Sequence, residues 1–197
     1  MTMTKRRITP DDILPTPEYV KIRKERRAAL VAAKRLRRLE VGPHATFHFE
    51  NYESMWMQIQ EMLYIEKGGA EQLQDELTAY NPLIPQGSEL VATLMFEIDD
   101  EVRRRRILSQ LAGVENTIAI EIAGEQVMAV PEADVERTDS HGKTSSVHFL
   151  HFPFTAAQIA RFRDPATTVM LAINHPHYGH MTVMRPDVRE ALARDFA

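Results

Sequence analysis

Between Glu89 and Ile98 an apolar residue falls at every second position (Leu90, Ala92, Leu94, Phe96, Ile98), and this period of two is the strongest constraint on the fold. A strand of that length needs partners, and the sequence offers several. Ala45 to Asn51 sends Phe47 and Phe49 one way and His44, Thr46, His48 and Glu50 the other. On this pattern His48 is expected to face solvent. Thr117–Ile122 and Gln126–Val130 flank Ala123-Gly-Glu125, a hairpin signature. Ser146 to Phe154 is apolar on both faces and reads as a central strand. Thr167 to Asn174 reads as a buried one, with Met181–Met184 pairing back onto it past His175-Pro-His-Tyr-Gly179.

The first half of the chain carries the helical period instead. Thr9-Pro-Asp-Asp12 has a capping residue, a proline at the first position and acids in the first turn, enough for one short turn. Thr16-Pro-Glu18 repeats the signal and opens a helix expected to reach Leu39, with Gly42-Pro43 ending it. Further helices are expected over Tyr52–Lys67 and Ala70–Tyr80, parted by Gly68-Gly69 and stopped by Asn81-Pro-Leu-Ile-Pro85. Short helices at Asp99–Leu111, Thr155–Phe162 and Pro186–Phe196 separate the strands, and Glu132–Lys143 reads as a polar loop. These elements predict an α+β protein: N-terminal helices, then a mainly antiparallel sheet of about six or seven strands with short helices between. The length of 197 residues suits a basic helical arm over residues 1–40 packed on a single domain over 41–197.

Charge is distributed unevenly. Residues 1–43 hold 12 Lys/Arg against 5 Asp/Glu, whereas the remainder holds 12 against 23. Lys21, Arg23, Lys24, Arg27, Lys34, Arg35 and Arg38 would form a cationic helix face able to dock an acidic partner. An acidic body disfavours nucleic acid. The Arg103–Arg106 run reads as a solvated face. No stretch approaches the ~18 apolar residues of a membrane span, and Met1–Ile8 has cationic residues but no apolar core behind them, so a cytoplasmic location without membrane association is expected. Homodimerisation is the default expectation for such a domain.

Several chemistries are excluded outright. With no cysteine the chain has no disulfide, thiolate nucleophile or iron–sulfur ligand of its own. It has no phosphate-cradling glycine loop, dinucleotide fingerprint, His-Glu-x-x-His helix or Gly-x-Ser-x-Gly elbow. Methionines on the Tyr52–Lys67 helix read as core filler.

Histidine is the pointed residue that remains. In an extended run His148 shares a face with Leu150 and Phe152, while His151 shares the other with Val147 and Phe149. His175 ends the core-facing row Val169, Leu171, Ile173, and His44 sits at the Gly42-Pro43 kink. Neutral imidazole with a carboxylate suits a divalent metal, and Glu61, at the edge of a helical apolar stripe, supplies the carboxylate. The expected metal set is therefore His44, His148, His175 and Glu61. The competing reading is that these histidines are ordinary core side chains.

Seven blocks, Gly42-Pro-His44, Phe49-Glu-Asn51, Gln58-Ile-Gln-Glu-Met-Leu63, Asn81–Pro85, Glu89–Ile98, Val147-His-Phe-Leu150 and His175-Pro-His-Tyr178, resemble a bacterial family known as a domain of unknown function. Its members are often encoded beside rubrerythrin and iron–sulfur oxidoreductase genes. The resemblance implies a place in redox or oxidative-stress handling, with a rubrerythrin or an iron–sulfur oxidoreductase as partner. It brings Asn51, Gln60 and Tyr178 forward as ligand-binding residues beside the histidines. The expectation is a metal- or ligand-binding accessory protein; the alternative is a non-catalytic adaptor that docks an acidic partner through its basic helix.

Overall fold

A computed structural model describes residues 5–132 and 143–197, so most of the predicted polar loop at 132–143 lies outside the described residues. A 3-10 turn at Pro10–Asp12 precedes helix α1 (Thr16–Lys34), strands β1 (Arg38–Val41) and β2 (Ala45–Phe49), and helices α2 (Tyr52–Glu66) and α3 (Gly69–Tyr80). Strand β3 (Glu89–Phe96), helix α4 (Glu101–Leu108), and strands β4 (Ile118–Ile122), β5 (Glu125–Met128), β6 (Val130–Pro131) and β7 (Val147–Pro153) follow. Helix α5 (Ala156–Arg163), strands β8 (Val169–His175) and β9 (Tyr178–Val183), and helix α6 (Pro186–Ala193) complete the chain.

The α+β class and the antiparallel pairing hold, and the strands divide between two sheets. The first runs β1-β2-β3-β7-β6 and the second β5-β4-β8-β9. Their facing sides enclose the larger core, with Phe47, Phe49, Leu90, Leu94, Leu150 and Phe152 from the first sheet against Ile118, Ile120, Val169, Leu171 and Ile173 from the second. The reverse side of the first sheet is covered by α1, α2 and α3. A second cluster forms there around Tyr19, Met55, Trp56, Ile59, Leu77, Leu83 and Val91. Buried apolar area of this kind, at ~25 cal/mol per Å2, is the main source of stability on both sides.

Two elements depart from the sequence reading: the expected strand over Gln126–Val130 is divided between β5 of the second sheet and β6 of the first, and the first long helix is shorter. The first long helix stops at Lys34, five residues short of Leu39, and the chain turns into β1. Leu39 and Val41 point into the core while Arg38 and Glu40 stay exposed. A four-residue alternation is too short to outweigh the helical stripe that runs up to it, and pairing with β2 decides the matter. The 40/41 boundary thus falls inside a paired strand. Gly42 makes the β1–β2 turn at φ +69°, and a Cβ there would lie 2.6 Å from the His180 ring.

The N-terminal segment is held by two side-chain amides that imitate strand pairing. Asn81 accepts from the Ile8 N–H at 2.7 Å and donates to the Ile8 carbonyl at 2.9 Å. Gln60 does the same for Leu14, at 2.8 and 3.3 Å. Trp56 Nε1 adds a hydrogen bond to the Asp12 carbonyl. Arg37, buried, donates to the carbonyls of Phe49 and Glu50 and pairs with the buried Asp195 beyond α6. Among the described residues no helix is long and apolar enough to cross a membrane.

Candidate functional site

The pleat of the first sheet sorts its polar residues by face. Cross-strand register sets Phe47, Leu94 and His148 in one row, on the side that meets the second sheet. His48, Thr93 and Phe149 form a row on the opposite side, and Thr46, Met95 and Val147 form the next.

On the inner side the histidines are occupied by the fold. His148 is buried, its Nε2 2.9 Å from the Ser145 carbonyl and 3.3 Å from Thr144 Oγ1, with its ring edge-on to Phe96. Its Nδ1 lies 3.9 Å from Glu115 Oε2. His175 Nε2 donates to the Ala112 carbonyl at 3.3 Å, and its Nδ1 accepts from the His177 N–H at 3.2 Å. That pair of bonds requires the Nε2–H tautomer and ties the β8–β9 turn to the segment after α4. Tyr178 Oη accepts from the N–H groups of His44 and Ala45 and donates to the Val41 carbonyl, locking the β1–β2 turn against β9. Asn51 caps α2 by accepting from the Ser54 N–H.

The four expected metal ligands are not gathered in one place. Glu61 lies on α2, beyond the opposite face of the first sheet from His148, and accepts from Tyr19 and from both Arg23 Nε and Arg23 Nη2 at 2.7 Å. The Arg23 guanidinium holds the Glu61 carboxyl below its usual range. His44 is partly exposed beside Arg103 Nη2 at 3.5 Å; burial, and then the Arg103 charge, lowers its pKa. Among the described residues no group of three or more His, Asp or Glu side chains stands where one metal ion would be held.

The basic face is likewise rearranged. Arg23 and Arg27 both reach Glu61, and Arg38 belongs to β1, where it pairs with Glu40 and Glu97. Lys21, Lys24 and Arg35 remain exposed on or just beyond α1.

The outer face of the first sheet holds what the sequence reading missed. Helix α2 and the Tyr80–Leu83 segment roof this face and leave a groove of about 350 Å3. Its polar lining is Lys34, His48, Glu50, Gln58, Tyr80, Thr93 and Glu97, and its apolar lining is Met55, Leu83, Met95, Val147 and Phe149. Glu50 is only 5% exposed. Its Oε1 accepts from Thr93 Oγ1 at 2.8 Å and its Oε2 from Ser54 Oγ at 2.6 Å. Both bonds orient the carboxylate but neither neutralises it, and among the described residues no cationic group lies within ion-pair distance of it. His48 is half-buried, and its Nε2 is enclosed without a hydrogen-bond partner among the described residues. Burial pushes its pKa down, opposed by Glu50 and reinforced by Lys34. The expectation that His48 faces solvent is therefore corrected: the pleat turns His48 away from Phe47 and Phe49 as expected, but helices cover the face it points to.

A family model described as "Protein of unknown function (DUF3501)" matches residues 7–196. The chain belongs to this family. A crystal structure at 1.90 Å of a novel protein of unknown function from Burkholderia pseudomallei K96243 is similar to it at 37% identity, covering 99% of this chain and 100% of that one, with a TM-score of 0.89. No curated protein matches the chain. The family assignment thus agrees with the resemblance drawn from the sequence blocks, and carries no activity with it.

Proposed function

We propose that this protein is a ligand-binding accessory protein, whose site is the groove between the first sheet and its helical roof. The observation that carries this reading is Glu50: a buried, oriented carboxylate without a cationic partner among the described residues, on the wall of a groove it shares with His48, whose buried Nε2 has no hydrogen-bond partner among the described residues. Leaving a buried charge and a buried ring nitrogen unmatched is unfavourable for folding alone. Folds tolerate such groups where binding uses them. The groove lies at the small end of the ~300–1,000 Å3 range of ligand sites, and its mixture of apolar wall and a few polar groups matches theirs. The setting the resemblance implies, beside redox or oxidative-stress proteins, fits a cysteine-free chain that binds a molecule on behalf of a rubrerythrin or an iron–sulfur oxidoreductase.

The test is a small-molecule library screened by thermal shift against the wild type and Glu50→Gln. Compounds that stabilise the wild type and lose their effect in the variant support the groove. A library whose hits act equally on both proteins would move the site elsewhere.

A second reading has its own observation. Lys21, Lys24 and Arg35 are exposed and in no ion pair among the described residues, and Val20, Val31 and Leu36 are exposed beside them. This surface suits docking to an acidic protein, and the interaction would weaken steeply with salt. Charge reversal at Lys21, Lys24 and Arg35 should abolish that binding while leaving groove ligands unaffected.

A further inference from the structure

The geometry points to a small zwitterion with an apolar side chain, such as an apolar α-amino acid, as the ligand class of the groove; this rests on the groove being the site. Three observations converge on it. The carboxylate of Glu50 lies within a wall closed by Thr93 and Ser54, whose hydroxyls both donate to it, so the remaining lone pairs suit a donor that brings positive charge. An ammonium meets that need with three N–H groups. Lys34 lines the same groove as a lysine in no ion pair among the described residues, and both it and Glu50 act electrostatically on the His48 ring. A ligand carboxylate would meet Lys34 while its ammonium meets Glu50, and the His48 ring lines the same groove. The remaining wall, Met55, Leu83, Met95, Val147 and Phe149, is apolar and flexible in shape, and accepts a branched or thioether side chain.

The alternatives fit less well. An apolar molecule would leave Glu50 buried and unmatched. A plain amine would leave Lys34 without a counterpart, and a plain anion would meet repulsion from both Glu50 and Glu97.

The experiment is isothermal titration calorimetry of the full chain with L-leucine, L-methionine and L-phenylalanine. Isoamylamine and 4-methylpentanoate, leucine's amine-only and acid-only counterparts, form the control arms. The amino acids should bind at least roughly tenfold more tightly than either control, the scale of losing one charge-assisted contact. Glu50→Gln should remove the advantage over the acid, and Lys34→Met the advantage over the amine. Met95→Trp fills the groove from its exposed rim without touching Glu50, so it should block all binding even if Glu50→Gln proves poorly folded by circular dichroism. Controls that bind as tightly as the amino acids, or amino acids indifferent to all three substitutions, would overturn the class. If uncharged molecules bind and only Met95→Trp stops them, the groove stands and the zwitterion falls. If nothing from either this panel or the library binds there, both fall.

Discussion

The two sides of the first sheet treat most of their buried polar residues differently. Toward the second sheet, His175 and Tyr178 of β8 and β9 have their polar atoms engaged with backbone carbonyls and N–H groups and His148 Nε2 faces the Ser145 carbonyl, while Glu115 Oε2 beside His148 is buried without a hydrogen-bond partner among the described residues. On the face under the helices, Glu50 accepts only from the Thr93 and Ser54 hydroxyls, and His48 Nε2 has no hydrogen-bond partner among the described residues. Burial is common to both, so burial does not distinguish structure from function. What differs for His175, Tyr178 and His148 Nε2 against Glu50 and His48 Nε2 is whether the surrounding backbone answers the polar atom.

That comparison can be broken, beginning with its largest expected effect. Phe152→Ala, in the inter-sheet core, should lower stability by about 3–5 kcal/mol in chemical denaturation, as large-to-small changes in a closed core do. Tyr178→Phe leaves the N–H groups of His44 and Ala45 and the Val41 carbonyl without their hydroxyl; a loss of about 1–3 kcal/mol is expected. A loss under a few tenths would mean that the hydroxyl is not the fastening described. Both belong to the inner face and its edge, where polar side chains do structural work.

The outer face should respond differently, and its two histidines with opposite signs. His151 Nδ1 lies 3.0 Å from Glu89 Oε2 and its Nε2 3.6 Å from Glu132 Oε1, and the Glu89 hydrogen bond raises its pKa. Its contribution is therefore full below the unfolded-state value of about 6.5 and disappears as pH rises through the raised folded value. Denaturation of the wild type and His151→Gln from pH 5.5 to 9 should show a gap that closes as pH rises. His48 has a lowered pKa from burial, so its neutral form is the stable one, and stability falls as pH drops through the unfolded value toward the lowered folded one. His48→Leu should remove that acid-side loss and change stability at pH 8 by less than about 1 kcal/mol, while weakening ligand binding. A strongly destabilised His48→Leu would place His48 with the structural histidines instead.

The sequence made much of this fold legible, because most strands are long enough for their period to show. β3, β7 and β8 declare themselves by alternation or apolar runs, and the opposite placements of His148 and His151 follow from the pleat. β1 is hidden because four residues cannot display a period against a neighbouring helix. The division into two sheets was invisible, since pairings such as β4 with β8 join residues some fifty positions apart with no local sign. The site was half legible. Glu50 and His48 were placed on the face opposite Phe47 and Phe49, yet nothing local announces that Met55, Tyr80 and Leu83 will cover that face. Gln60 and Tyr178 come forward only through the family resemblance, and the structure gives both a backbone to hold.

The most direct measurement is a long-range 1H–15N spectrum of the histidine rings, recorded with and without a saturating apolar amino acid. The expected result is that the His48 cross-peaks move while those of His148 and His175 stay in place. Movement of His148 and His175 with His48 unchanged would contradict it, returning the site to the space between the sheets.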